Sequence, residues 1–106
     1  MKNTPDDNDF AVSTFRNCIP IFSALGDAKR QDIILLLAEH EPLNVNQIAE
    51  HIELSRPAIS HHLKILRDVG LVSVDRKGTE NNYSLELGDA LVTIKQLVET
   101  VEKACL

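Results

Sequence analysis

Basic side chains are the minority in this chain of 106 residues, eleven Lys and Arg against sixteen Asp and Glu, and the formal net charge of −5 taken whole argues against a polyanionic partner. Glycine and proline are scarce at four each, which excludes collagen-like and low-complexity chains. Long apolar runs are missing too. The longest, Ile33 to Ala38, is six residues, where a membrane span needs about 20, so no membrane partner is expected. With only two cysteines, Cys18 and Cys105, there is no disulfide framework, and in a reducing compartment both are expected as thiols. Met1 to Asp9 is acidic and polar where an export signal is basic and then apolar, so a cytoplasmic location is expected. What is present is ordinary globular material, 43% apolar and 25% charged. A chain of this length makes one domain and buries roughly 60 to 70% of its unfolded surface.

The charge is unevenly placed. Met1 to Glu53 carries four basic and nine acidic residues, Leu54 to Thr79 five and two, and Glu80 to Leu106 two and five. The middle segment is therefore a basic strip of +3 on an acidic body. The local field at such a strip, rather than the net charge, decides how a polyanion approaches.

Residues 1–8 show no apolar periodicity and read as a disordered tail ahead of one domain, residues 9–106. Phe10, Ala11, Phe15, Cys18 and Ile19 share a helical face, and Pro20 predicts a break, giving helical pieces Asp9 to Cys18 and Pro20 to Leu25. Asp27 is placed as the N-cap of a helix to about His40, apolar around much of its circumference and expected to be the central core helix. Asn44 with Gln47 has the form of a capping box for a short helix to about Glu53. Ser55 caps the next, which tolerates Pro57 in its first turn and runs through Ile59, Leu63 and Leu66 to Gly70. The apolar period then falls to two, and Val72, Val74, Tyr83 and Leu85 flank a turn at Gly78, a two-stranded hairpin. Leu87, Leu91, Ile94, Leu97, Val98, Val101 and Cys105 mark a long last helix.

Two helices joined by a few residues and followed by a hairpin make a winged helix-turn-helix, a mainly α fold with a small β-hairpin. The basic strip coincides with its second helix and wing. With Ile59, Leu63 and Leu66 turned to the core, Arg56, Ser60, His61, Lys64 and Arg67 are left on the outer side. An Arg fork can bond the O6 and N7 of guanine, Ser and His can donate or accept at several bases, and Lys64 suits a phosphate. Arg76 and Lys77 at the wing are placed for the backbone or minor groove. For any one of these residues the bland reading is a solvated helix face. Position, cap, turn and wing together favour double-stranded DNA as partner.

The run L-S-R-P-A-I-S-H-H-L-K-I-L-R-D-V-G-L-V from Leu54 to Val72, preceded by F-S-A-L-G-D-A-K-R from Phe22 to Arg30, resembles the ArsR/SmtB family of bacterial repressors. The resemblance covers about Phe15 to Leu87. It implies a homodimer joined through its first and last helices that binds an inverted-repeat operator until an inducer releases it. By that resemblance Arg56, Pro57, Ser60 and His61 occupy base-contacting positions, with Arg56 where Gln is common, and Phe10, Phe15, Leu91, Ile94, Leu97, Val98 and Val101 belong to the dimer interface; Ser55 at the helix cap is counted with the DNA-binding residues. The apolar stripe from Leu87 to Cys105 supports a dimer independently, because a domain this small has little core left to cover it.

The family's metal sites do not map onto this chain. Asp89 is present, but no His follows His62, and L-N-V-N-Q-I from Leu43 to Ile48 puts Asn44 and Asn46 where thiolates would stand in L-C-V-C-D-L. His61 and His62 diverge by about 100 degrees on a helix and cannot chelate one ion, and His40 and His51 lack a ligand at i+4. No metal or other cofactor is expected. His62 reads as a packed or interfacial side chain. Cys18 and Cys105, near the ends of the two interface helices, read either as small buried apolar residues or as a thiol switch or soft-metal pair.

Two other classes compete. An enzyme is not expected, since the chain has no Gly-rich phosphate loop, no nucleophile elbow and no isolated carboxylate pair, and Ser60 and His61 diverge on their helix. A winged helix used only for protein contacts fits the acidic balance, and DNA affinity at low salt separates it from a DNA reader.

Overall fold

The computed structural model describes residues 5–105 and the side chains of residues 9–104. Five helices and one hairpin follow in the order α1 (Pro5–Leu25), α2 (Ala28–His40), α3 (Val45–Ala49), α4 (Arg56–Asp68), β1 (Val72–Lys77), β2 (Glu80–Leu85) and α5 (Gly88–Cys105). The mainly α winged helix-turn-helix expected from the sequence is the fold observed.

Its differences from expectation lie where tertiary packing outweighs local signals. Residues 5–8, read as part of a disordered tail, are helical backbone within α1, and residues 1–4 lie outside the described residues. Pro20 sits inside α1 and does not divide it. An interior Pro costs a helix about 3 kcal/mol, and here Cys18, Ile21 and Ala24 on either side are buried, which holds the helix continuous across it. In α2 only Ile33 and Leu37 are fully buried and Leu35 is 66% exposed, so this helix borders the core and is not surrounded by it. The short α3 gives way at Glu50 to a turn in which the His51 and Ile52 amides both donate to the Ile48 carbonyl.

The core is a single cluster built from Ile33 and Leu37 of α2, Ile48, then Ile59, Leu63 and Leu66 of α4, with Leu71 and Val72 entering the wing and Ala90 of α5 closing it. β1 and β2 pair antiparallel from Val72 opposite Leu85 to Lys77 opposite Glu80. Gly78 at the tip has φ +62°, the left-handed conformation the turn requires. A third segment, missed in the sequence, joins this ladder. Leu43 exchanges both backbone hydrogen bonds with Tyr83, at 3.0 and 2.8 Å, tying the link between α2 and α3 to the wing. The base of the wing is also anchored to α4, whose Leu66 carbonyl accepts from the Leu71 amide at 2.9 Å across Gly70, at φ +79°.

Candidate nucleic-acid interface

Helices α3 and α4 are placed by their caps. Asn44 and Gln47 form the reciprocal box, at 2.8 and 2.9 Å, and the Ser55 hydroxyl accepts from the Ala58 amide at 3.3 Å with Pro57 in the first turn. Ile59, Leu63 and Leu66 lock the inner face of α4 into the core. Arg56, Pro57, Ser60, His61, Lys64 and Arg67 are consequently exposed, as are Ser55 before them and Arg76 and Lys77 at the wing tip. All nine residues singled out for DNA contact are thus accessible on the recognition helix, its cap and the wing.

Four of the five cations have partners, Lys77 only through Asp75 at 4.0 Å. Lys64 pairs with Asp68 one turn on at 2.9 Å, a solvent-exposed contact that a phosphate can displace at little cost. Arg76 Nε donates to the Gly78 carbonyl at 3.1 Å, which lays the guanidinium along the turn. Arg56 Nε donates to Asn46 Oδ1 of α3, an aiming contact that sequence reading missed. Asn44 and Asn46, where the thiolates of a metal site would be, serve here as cap and as support for Arg56.

His62 is half-buried, turned away from its exposed neighbour His61, and its Nδ1 lies 3.2 Å from Arg30 Nη1. Near it, Asp27 caps α2 by accepting from the Lys29 and Arg30 amides at 2.9 and 3.1 Å. The Arg30 amide bond, aided by the Arg30 guanidinium charge and the Lys29 amide, holds the Asp27 carboxyl below the usual carboxylate value against the opposing effect of desolvation. His40 and His51, which lack partners at helical spacing, come together across α2 and the turn after α3, with ring centroids 5.9 Å apart.

Helix α1 packs along α5, and together they leave an apolar face open. Phe10, Val12, Phe15, Ile19 and Phe22 of α1 and Leu91, Val92 and Val98 of α5 are exposed. Of the expected interface residues, Phe10, Phe15, Leu91 and Val98 are exposed, whereas Leu97 is buried within its own chain and Ile94 and Val101 are half-buried. Leu97 is thus an intrachain packing residue. The two cysteines are not brought together. Cys18 is fully buried and its thiol donates to the Thr93 carbonyl at 3.7 Å, while Cys105 stands twelve residues further along α5, about 18 Å along the axis. No disulfide within one chain spans that separation. The Cys105 side chain lies outside the described residues.

Comparison with known proteins agrees with this fold. Residues 27–74, from the cap of α2 through the first half of β1, match the model of bacterial regulatory proteins of the arsR family. An uncharacterised HTH-type transcriptional regulator of Methanocaldococcus jannaschii is 36% identical over 88 residues, 83% of this chain and 98% of that protein. The chain belongs to the ArsR family. As an ArsR-family protein it is a DNA-binding transcriptional regulator and not an enzyme. The transcriptional repressor SdpR of Bacillus subtilis is 42% identical over 65 residues, 61% of this chain and 71% of the repressor. Among solved structures, an ArsR-like transcriptional regulator from Rhodococcus sp. RHA1 superposes with a TM-score of 0.75 at 26% identity, covering 86% of this ArsR-family chain and 85% of that one. Reduced HlyU from Vibrio cholerae shares the fold, with a TM-score of 0.66 at 24% identity over 89% and 95% of the two chains.

Proposed function

We propose that this ArsR-family protein is a repressor that binds an inverted-repeat operator as a homodimer, with α4 in the major groove and the wing on the adjoining backbone. The observation that carries the reading is the division of the surface. The outer face of α4 and the wing tip expose a cluster of base-reading and basic side chains, while the exposed apolar face of α1 and α5 lies on other elements and is free to join two copies. In this reading Arg56, Ser60 and His61, with Ser55 and Pro57 at the helix start, meet base edges, and Lys64, Arg67, Arg76 and Lys77 meet phosphates. Two copies present two recognition helices to half-sites about one helical turn apart, roughly 34 Å, or a multiple of it.

Relatives include arsenical resistance operon repressors, one from Bacillus subtilis at 38% identity over 64 residues. This chain has neither the thiolates nor the later histidines of the family's usual metal sites. Its inducer is therefore either not a metal held at those positions or absent. No described helix is long and apolar enough to cross a membrane, in keeping with a regulator that works beside cytoplasmic DNA.

Fluorescence anisotropy on DNA from upstream of the protein's own gene, at two salt concentrations and against a scrambled duplex, tests the reading. Specific binding that weakens steeply with salt is expected, because each neutralised phosphate releases a counterion. An absence of DNA affinity at low salt would replace the repressor with a protein-contact module.

A further inference from the structure

One side chain joins three helices behind the recognition surface. From the first turn of α2, Arg30 Nε donates to the Ala24 carbonyl at 2.7 Å and Nη2 reaches the Ser23 carbonyl at 3.5 Å, both in the last turn of α1. Its Nη1 donates to His62 Nδ1 on α4 at 3.2 Å. A guanidinium has no acceptor, so Nδ1 supplies the lone pair and the ring proton is on Nε2. α1 has no basic residue in its own last turn, and Arg30 supplies the positive charge that its C-terminal carbonyls favour. The planar fork thus spans from the helix that carries the apolar face to the helix that carries the DNA-reading face.

We propose that Arg30 and His62 are positioning residues for DNA binding, a joint that sets the rotation of α4 about its own axis relative to α1. The inference rests on the DNA-reading role of α4. Ile59, Leu63 and Leu66 fix which face of α4 turns inward, but their contacts are nondirectional, and the fork refines the rotation because a hydrogen bond loses strength within a few tenths of an ångström or tens of degrees. Side-chain tips lie about 5 to 6 Å from a helix axis, so a rotation of about 10 degrees moves them by about 1 Å. That shift is enough to take the forks of Arg56 and the imidazole of His61 out of hydrogen-bonding register with base edges. His62 itself is half-buried against Arg30 and is not among the exposed DNA-facing residues.

The test is a double-mutant cycle on operator affinity with Arg30→Ala, His62→Ala and the pair, each checked for folding by circular dichroism. His62→Asn is added because its amide oxygen falls close to the position of Nδ1. Each single alanine variant is expected to bind the operator at least tenfold more weakly with the salt slope unchanged. The double variant should be no weaker than the worse single, and His62→Asn should return to within about threefold of the parent. If His62→Ala does not fold, Arg30→Lys carries the test, since one ammonium cannot reach both the Ala24 carbonyl and Nδ1, and the same loss is expected. Additive losses would overturn the joint, as would a salt slope that falls by about one on removal of Arg30, which would make it a phosphate contact. Parent protein that binds the operator while His62→Ala binds equally well sinks the joint alone. Parent protein that binds no DNA sinks the DNA-reading role and the joint with it.

Discussion

At the residue scale, the side chains proposed to face DNA differ in how firmly they are held. Arg56 is held by Asn46 and emerges from the first turn of α4, so Arg56→Ala is expected to cost about 1 to 3 kcal/mol of operator affinity and to relax preference at one base pair. His61→Ala is expected to do the same at a neighbouring pair, and binding to a panel of single-base operator variants reads both. Lys77, on the exposed wing with only Asp75 at 4.0 Å, is expected to act differently. Lys77→Ala should weaken all duplexes alike and lower the salt slope by about one. Asp27 makes a prediction about acid. Its folded-state pKa is depressed, so its charge stabilises the fold above the ordinary carboxylate value, and that contribution is lost as pH falls through the folded value. Asp27→Asn keeps the cap acceptor but not the charge. The stability gap between the two proteins, measured by urea unfolding, should be present at neutral pH and close in acid.

At the element scale, the sequence was most legible where one local signal acted alone. Asp27, the Asn44 and Gln47 pair and Ser55 mark helix starts that the structure reproduces as side-chain caps, and the change of period at Val72 marks the wing. It misled where distant packing decided. Pro20 signals a break only if nothing holds its two flanks, and the buried Cys18, Ile21 and Ala24 hold them. The Leu43 pairing with Tyr83 is two residues of backbone with no pattern of its own. The contacts of Asn46 with Arg56 and of Arg30 with His62 join residues 10 and 32 apart in the chain, beyond the reach of helical spacing. The junction of α4 and β1 carries a prediction at this scale. Gly70 has φ +79°, and Gly70→Ala has open space around the new methyl group, so its expected cost of about 1 to 2 kcal/mol is that of backbone conformation alone. Chemical denaturation reads the loss.

At the scale of the whole molecule, the radius of gyration of 16.9 Å exceeds the about 13 Å of a compact chain of this length, and the long axis measures 54 Å against 25 and 21 Å. The excess length accompanies the long α1 and α5, which between them expose eight Phe, Val, Ile and Leu side chains. On the dimer proposed above, a charge introduced there keeps two copies apart. Val98→Glu is then expected to sediment as a monomer with an unchanged helical spectrum and to lose operator affinity, because one copy meets one half-site. Unchanged sedimentation would place the dimer contact elsewhere.

The hydrogen bonds that anchor the hairpin have a consequence for the duplex. Leu43 fastens the base of the wing to the link before α3, and Leu71 fastens it to the end of α4, so in the proposed complex the helix meant for one groove and the hairpin reaching toward the next spring from one joined base. The pair works as a caliper. When the gap between its two jaws and the local groove width disagree, it is the DNA that must bend or narrow, and the work of doing so differs from one base step to another. Base pairs that no side chain touches then contribute to the choice of site through their stiffness.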